Sequence, residues 1–134
     1  MIFVDTSAWL ALADTNDGDH APALDLQRRL GHGEFGRQVT TNYVLTESVT
    51  LIRRRLGLGS AIAFSNNLRS SKAIGLFWVE PVHHYEAIAL MSSHADKHWS
   101  VTDSTSFVIM RSLGIQDAFA FDDDFVQAGF KAYP

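Results

Sequence analysis

The sequence predicts an α/β protein built on a parallel sheet that helices cover on both faces. Short apolar segments without polar–apolar alternation, as expected for strands buried on both faces, recur along the chain. Longer segments with apolar residues at helical spacing lie between them. Strands that alternate with helices in this way typically form parallel sheets.

Four segments have the character of buried strands. The first is apolar up to its final residue, Asp5, and the third contains Leu-Phe-Trp-Val and ends before Pro81. The predicted strands are residues 2–5, 38–41, 75–80 and 118–121.

Helices are predicted in the intervals between the strands. The clearest one has its apolar residues at helical spacing and is stopped by Gly57. Pro22 is typical of a first helical turn, and Gly114 is typical of a helix end. The predicted helices are residues 6–13, 22–30, 42–56, 60–70, 83–97 and 103–113, with a short one from residue 124 and a turn-rich loop at 14–18.

Composition narrows the class of protein. The 134 residues fit one domain, so residues 1–134 are predicted to form a single domain. The chain contains no cysteine, which excludes disulfides, thiolate zinc sites and cysteine nucleophiles. No signal peptide and no apolar run of membrane-spanning length is visible, so a cytoplasmic protein without membrane contact is expected.

Basic residues are concentrated in the middle of a chain whose net charge is −4. Residues 28–72 contain eight Lys and Arg against two acids, and both flanks are acidic. Two interpretations remain open. The bases could form a solvated helix face, or they could border an acidic pocket and attract a polyanion whose scissile phosphate binds a metal ion.

Four acids mark the predicted chemistry. Asp5 and Asp122 end strands, Asp103 lies in a hydroxyl-rich corner, and Glu47 lies on a helix without Lys or Arg one turn away. The carboxyl ends of parallel strands meet at one edge of a sheet, so the aspartates are expected to converge there. Carboxylates at close range repel one another unless a proton or a cation intervenes. The set therefore predicts a divalent-cation site.

Each acid also has a purely structural explanation. Asp5 and Asp103 could cap the helices that follow them, and Glu47 could be solvated. In the acidic run that follows the last strand, Asp122 is nearest the strand end and is the preferred ligand. Asp124 is the reserve, and Asp123 is expected to face water.

Other patterns carry less information. His94 and His98 are four residues apart and could share a helix face, but a third zinc ligand is missing. The three tryptophans are expected in the core or at its edge. An aspartyl-phosphate enzyme would also place an aspartate after the first strand. A haloacid-dehalogenase-type phosphatase requires a second aspartate where Ser7 stands. A receiver domain requires a lysine soon after a late strand, but the first lysine after the strand that ends at Phe121 is Lys131.

Taken in order, the acidic segments resemble the PIN-domain family, most closely its small toxin ribonucleases of the VapC type. The resemblance spans essentially the whole chain, and the ordered set is specific although each motif alone is weak. Ser104 stands where many relatives have cysteine, and Asp124 stands where many have histidine or another residue. The matching segments are Met-Ile-Phe-Val-Asp-Thr-Ser-Ala from Met1, Thr-Glu-Ser around Glu47, Trp-Ser-Val-Thr-Asp-Ser-Thr-Ser-Phe around Asp103, and Ala-Phe-Ala-Phe-Asp-Asp-Asp-Phe-Val-Gln-Ala-Gly-Phe around Asp122.

The resemblance implies a three-layer α/β/α sandwich with a central parallel sheet and a Mg²⁺- or Mn²⁺-dependent endoribonuclease. It also implies a homodimer and a cognate antitoxin that inserts a segment into the acidic groove. An RNA-processing nuclease outside a toxin pair and an inactive binding module remain alternatives. The expected catalytic and metal-binding residues are Asp5, Glu47, Asp103 and Asp122, with Thr6, Thr102 and Ser104 orienting ligands or phosphate and Asp124 in reserve.

Overall fold

The sheet consists of five short strands that all run parallel. The computed structural model describes every residue from Met1 to Pro134. The strands are β1 (Ile2–Val4), β2 (Gln38–Thr41), β3 (Ile74–Phe77), β4 (Asp117–Phe119) and β5 (Lys131–Tyr133). Their spatial order is β3-β2-β1-β4-β5, which places β1 at the centre. In register, Phe3 lies between Val39 of β2 and Ala118 of β4.

Seven helices connect the strands and cover the sheet. They are α1 (Thr6–Ala13), α2 (His20–Gly31), α3 (Asn42–Leu56), α4 (Leu58–Ser70), α5 (Pro81–Ser93), α6 (Val101–Leu113) and α7 (Asp124–Gln127). From the central strand β1, the next two strands along the chain are added toward one edge of the sheet, and β4 and β5 are added toward the other edge. Right-handed crossovers therefore place α1–α4 on one face and α5–α7 on the other. The packing of α1 on α2 and α3, and of α5 on α6, agrees with this division and confirms the predicted three-layer architecture.

A cluster of phenylalanines fixes α6 and α7 to the sheet. Phe3, Phe107 and Phe125 are fully buried, and the rings of Phe107 and Phe125 stand edge to face at 5.1 Å. Phe125 also lies 6.1 Å from Phe3 of β1. Full burial of each such side chain stabilises the fold by about 1.5–3 kcal/mol. The cluster thereby sets the position of the segment from Asp122 relative to the end of β1.

The sequence predicted four strands, and β5 was missed. Three residues, Lys131–Tyr133, are too few to show a period of two, and the segment has no apolar run. It is a strand because β4 offers a free edge, along which Ala118 pairs with Ala132. Other differences are shifts at element ends: β3 and β4 end earlier than predicted, and α2 and α4 begin two residues earlier.

Two expectations about aromatic and imidazole side chains are corrected. Trp9 and Trp99 are buried as expected, but Trp78 is 66% exposed. The helix predicted over residues 83–97 ends at Ser93, so His94 and His98 do not share a helix face. His94 instead bonds the carbonyl of Leu90 and contacts the ring of Trp99, so it has a packing role.

The basic residues lie mainly at the amino edge of the sheet. Arg53, Arg54 and Arg55 end α3, which starts at the carboxyl edge directly after β2. Arg37 directly precedes β2, and Arg55 pairs with Asp17 at 3.0 Å. Basic residues are favoured near helix C-termini by the helix dipole. The structure therefore favours the simpler interpretation, in which these bases are solvated, over a basic rim beside the acids. None of the seven helices combines the length and apolar character needed to cross a bilayer.

Candidate active site

The predicted acids are brought to the carboxyl edge of the sheet. β1 lies between β2 and β4, so the segments that follow these three strands start side by side. The backbone N–H of Asp5 donates to the carbonyl of Phe119 at 3.0 Å, which ties the end of β1 to the end of β4. α3 and α6, which carry Glu47 and Asp103, contact each other. This is the place where open α/β sheets have their active sites.

Asp5 caps α1 and is 3% exposed. Its Oδ2 accepts hydrogen bonds from the backbone N–H of Ser7 at 3.0 Å and from the Ser7 hydroxyl at 2.7 Å. The Ser7 oxygen in turn accepts from the N–H of Phe121 at 3.1 Å. Ser7 therefore links Asp5 to the segment that carries Asp122. Ser7 was not among the site residues predicted from the sequence, although a hydroxyl two residues after a helix-capping aspartate is a recognisable signal.

The environment of Asp5 opposes its ionisation. Burial, above all, raises its pKa from 3.8 to about 7, and the nearby carboxylates of Asp122 and Asp103 add to the shift. The hydrogen bonds from Ser7 act in the opposite direction but are outweighed. A buried carboxylate near two others is the electrostatic arrangement that a cation relieves.

Asp103 is positioned by the start of α6. Ser100 is the N-cap, its hydroxyl accepts from the N–H of Asp103 at 3.0 Å, and Oδ2 of Asp103 accepts from the N–H of Ser100 at 2.8 Å. The cap is therefore Ser100 rather than Asp103, and α6 starts two residues earlier than predicted. This reciprocal pair orients the carboxyl group of Asp103 and leaves Oδ1 available.

The run from Asp122 to Asp124 separates into different roles. Asp122 is half-buried, and its pKa is raised by burial first and then by the charges of Asp103 and Asp124. It also lies within hydrogen-bonding reach of Asp5. Burial, followed by the charge of Asp103, raises the pKa of Asp124 as well, while His98 acts against that shift. Asp123 is exposed, as predicted. Asp122 is thus the member of the run that faces both other aspartates.

Glu47 stands slightly apart from the three aspartates. It is half-buried on α3 and has no ion-pair partner, as its sequence context predicted. The charges of Asp122 and Asp103 raise the pKa of Asp5, and that of Asp103 raises the pKa of Asp122, whereas Glu47 is not among the causes of these shifts. Its side chain borders an open cavity of about 410 Å³, called the side pocket below, whose lining residues are Asn42, Tyr43, Thr46, Glu47, Val101 and Thr102.

The predicted supporting hydroxyls lie beside the acids without bonding them. Thr6 and Ser104 each directly follow an acid in the sequence, and their buried hydroxyl oxygens have no hydrogen-bond partner. Thr102 lines the side pocket. The hydroxyl that does hydrogen-bond one of the acids is that of Ser7, which donates to Asp5. A role for Thr6, Thr102 and Ser104 in orienting ligands stays a prediction.

The chemistry of the donor set fits a hard divalent cation. All donors are carboxylate oxygens, at least one is deeply buried, and the group is destabilised by its own charge. Oxygen ligands of this kind suit Mg²⁺ or Mn²⁺ better than zinc. No three His, Asp or Glu side chains already stand in the arrangement of metal ligands. The fit therefore rests on the type, charge and burial of the donors.

Comparison with known sequences identifies the family. The PIN domain profile matches residues 2–131. The 23S rRNA-specific endonuclease VapC20 of Mycobacterium tuberculosis, from strains CDC 1551 and H37Rv, is 39% identical over 130 residues, which is 97% of this chain and 95% of the relative. Such identity over nearly the full length of both proteins indicates a common family.

Solved structures give the same result. The crystal structure of Mycobacterium tuberculosis VapC20, described as a sarcin-ricin loop cleaving toxin, superposes with a TM-score of 0.89 at 37% identity and covers both chains completely. FitAcB from Neisseria gonorrhoeae superposes with a TM-score of 0.66 at 13% identity, over 100% of this chain and 97% of that one, and shares the fold. The chain therefore belongs to the PIN-domain family, among the VapC-type toxin ribonucleases.

Proposed function

We propose that the protein hydrolyses RNA phosphodiester bonds with Mg²⁺ or Mn²⁺ held by Asp5, Glu47, Asp103 and Asp122. The observation that carries this proposal is the cluster of three aspartates in which burial and mutual repulsion raise the pKa of Asp5 to about 7. A fold gains nothing from such a cluster unless a ligand compensates for it, and a divalent cation does so directly. Asp124 is the reserve ligand.

The bound cation and the residues that hold it have separate roles in the reaction. A bound cation supplies activation of the attacking water and stabilisation of the leaving oxygen. Ser7 orients Asp5, and the reciprocal bonds with Ser100 orient Asp103, so two donors are fixed before the substrate arrives. Asp5 must be deprotonated to act as a ligand. Hydrolysis leaves 5′-phosphate and 3′-hydroxyl ends.

The relatives suggest the substrate class. VapC20 is named for 23S rRNA and for cleavage of the sarcin-ricin loop. We infer that this chain also cleaves a structured loop of ribosomal RNA, because the similarity extends over the whole fold and not only over the acids. A structured RNA loop offers unstacked bases next to its backbone, which a small open site can reach.

The toxin class implies partners. We propose that the protein is cytoplasmic, forms a homodimer and is neutralised by a cognate antitoxin encoded beside it. An antitoxin segment with a basic side chain would complement the acidic cluster, since it would supply the positive charge that the cluster lacks. Co-purification of a small neighbouring gene product would support this pairing, and its absence from tagged preparations would weigh against it.

The function is tested by RNA cleavage with two matched aspartate variants. Purified protein is incubated with ribosomal RNA and tRNA in Mg²⁺ or Mn²⁺, with EDTA as the metal-free control. Asp103→Asn removes a ligand and is expected to lower the cleavage rate by about 100-fold or more. Asp123→Asn changes an exposed neighbour of the site and is expected to cleave like the wild type.

The outcomes of this test separate the alternatives. Full activity of a folded Asp103→Asn protein would contradict the site assignment. Absence of cleavage for all RNAs, together with absence of Mn²⁺ binding, would favour the inactive binding module. Cleavage confined to tRNA precursors, with no partner protein, would favour an RNA-processing nuclease outside a toxin pair.

A further inference from the structure

The side pocket has no role in holding a cation beyond the contribution of Glu47. It lies where the first turns of α3 and α6 meet, and its volume of about 410 Å³ falls within the range of about 300–1,000 Å³ that small-ligand sites occupy. Four of its six lining residues are polar, and Val101 is its one aliphatic member. Its size is sufficient for one nucleotide unit, and its polar side chains can hydrogen-bond a base.

One wall of the pocket is an aromatic ring fixed in place. The Tyr43 hydroxyl and Nδ1 of His84 are hydrogen-bonded at 2.9 Å, and the two rings stand edge to face with centroids 6.0 Å apart. His84 belongs to α5, so the bond joins the start of α3 to a helix from the other face of the sheet. A ring held at two points loses little conformational freedom when a base stacks on it.

The neighbouring polar groups are also oriented. Oδ1 of Asn42 accepts a hydrogen bond from the N–H of Val79 at 2.6 Å, which leaves the amide Nδ2 as a donor. The Thr46 hydroxyl donates to the Asn42 carbonyl and retains its acceptor capacity. An aromatic face beside an amide donor and hydroxyl groups is the combination that recognises an unstacked base.

The pocket adjoins the reaction centre on two sides. Glu47, a proposed cation ligand, forms part of its wall. Thr102, another lining residue, directly precedes Asp103. A nucleotide whose phosphate is at the acidic cluster would therefore have an adjacent base within reach of the side pocket.

We propose that the side pocket is a nucleobase subsite, in which Tyr43 stacks on a base next to the scissile phosphate and His84 is the positioning residue for Tyr43. The inference deepens the proposed ribonuclease function and rests on it. Its chemistry is that of an unpaired base in an RNA loop. A segment of an antitoxin is the competing occupant, and the experiments below separate the two.

The direct test is binding of single nucleotides to the wild-type protein in Mg²⁺, followed through backbone amide resonances. The four nucleoside 5′-monophosphates are compared with ribose 5-phosphate, which carries the same phosphate without a base. At least one nucleotide is expected to shift the amides of Tyr43 and Thr102, whereas ribose 5-phosphate leaves them in place. Equal shifts with ribose 5-phosphate, or no shift with any nucleotide, would overturn the proposal.

Variants separate stacking from general damage. Tyr43→Ala is expected to weaken nucleotide binding by about 5- to 150-fold, the range for loss of one aromatic stacking partner. Tyr43→Phe keeps the ring and is expected to lose much less. Tyr85→Ala is the matched control, because Tyr85 is 71% exposed on α5 and does not line the pocket. Equal losses in the two alanine variants would contradict a subsite at Tyr43.

The positioning role of His84 is tested by its effect on base preference. His84→Ala is expected to relax the base preference next to the cut site, and His84→Gln, which can still bond the Tyr43 hydroxyl, is expected to restore it. In a Tyr43→Phe background the His84 substitution should have little further effect, because the bond is already absent. An unchanged base preference in His84→Ala, or a full additional effect in that background, would show that His84 does not act through Tyr43.

RNA cleavage distinguishes failure of the subsite from failure of the proposed function. Base-dependent shifts at Tyr43 without cleavage of any RNA would retain the subsite and refute the nuclease. Metal-dependent cleavage with unchanged rate and sequence preference in Tyr43→Ala would retain the nuclease and refute the subsite. Amide shifts that appear only with the co-purified partner protein, and with no nucleotide, would assign the pocket to the antitoxin and overturn the proposal.

Discussion

Asp5 shows how one residue can serve folding and function with opposite energetic effects. As the N-cap of α1 it satisfies the N–H of Ser7 and supports the first helical turn. As a buried carboxylate facing Asp122 and Asp103 it disfavours its own charge, which raises its pKa to about 7. Both effects follow from its place between a buried strand and a helix. The sequence predicted the position, but the burial and the proximity to Asp122 depend on how β4 returns beside β1.

A pH-dependent stability follows for Asp5. The pKa of Asp5 is 3.8 in the unfolded chain and about 7 in the folded one, so between these pH values the folded state binds more protons. Without metal, stability therefore falls as the pH rises through this window, by at most on the order of 4 kcal/mol. Asp5→Asn keeps an oxygen for Ser7 but cannot ionise. In EDTA at about pH 8 it is expected to unfold at a higher temperature than the wild type.

Thermal unfolding across pH provides the check on this prediction. The difference between Asp5→Asn and the wild type should shrink as the pH falls from about 7 toward about 4, because Asp5 is then protonated in the folded state and loses most of its charge in the unfolded state only below about pH 4. Divalent cations should narrow it at about pH 8, because they stabilise only the ionised wild-type site. Parallel stability curves for the two proteins would show that Asp5 is not strained in the metal-free fold.

At the scale of elements, the start of α6 does most to determine the site. The sequence around Asp103 predicted a helix start with Asp103 as a possible cap, although serine is equally favoured at that position. The reciprocal bonds between Ser100 and Asp103 identify Ser100 as the cap. The same bonds orient the Asp103 carboxyl group, so one contact both caps the helix and positions a site residue. The missed strand β5 and the early end of α5 have a different cause, since short or unbroken segments carry little periodic signal.

Removing the cap of α6 should therefore affect stability and activity together. Ser100→Ala loses the hydroxyl acceptor and is expected to lower the free energy of unfolding by about 1 kcal/mol. It also leaves the backbone N–H of Asp103 without its acceptor and loosens the helix start that carries the Asp103 carboxyl group, so cleavage should slow several-fold without being abolished. Ser100→Thr retains the hydroxyl and serves as the control. Urea unfolding and cleavage rates measure the two effects, and a destabilised Ser100→Ala with wild-type cleavage would separate capping from positioning.

At the scale of the whole molecule, the acidic cluster and the arginines that end α3 lie at opposite edges of the sheet. The proposed ligands gather at the carboxyl edge of the sheet, and the bases that end α3 lie at the amino edge. The sequence showed the charge segregation but not its direction, because the position of a helix end depends on sheet topology. The fold class and the convergence of the aspartates were predictable, since both follow from alternating elements and strand ends. The side pocket was not, since it depends on contacts between distant segments such as Tyr43 and His84.

The distance of the α3 arginines from the acidic cluster leads to a prediction about their role in RNA cleavage. Arg53 and Arg54 are exposed at the end of α3 and have no ion-pair partners, so replacing both with alanine should leave the fold intact. Because they lie at the edge opposite the acids, kcat/KM for RNA cleavage is expected to change by less than about threefold, and its salt dependence should hardly change. A loss of about tenfold with a flatter salt dependence would show that RNA extends to the amino edge.

The most direct test of the account is calorimetric titration of the metal-free protein with Mn²⁺ near pH 7. We predict saturable binding with proton release, because Asp5 is partly protonated at this pH and must ionise to become a ligand. Buffers of different ionisation enthalpy would report the protons. Binding should be lost in Asp103→Asn and retained in Asp123→Asn. Absence of Mn²⁺ binding to the wild type, or equal binding to Asp103→Asn, would contradict the claim that these aspartates form a divalent-cation site.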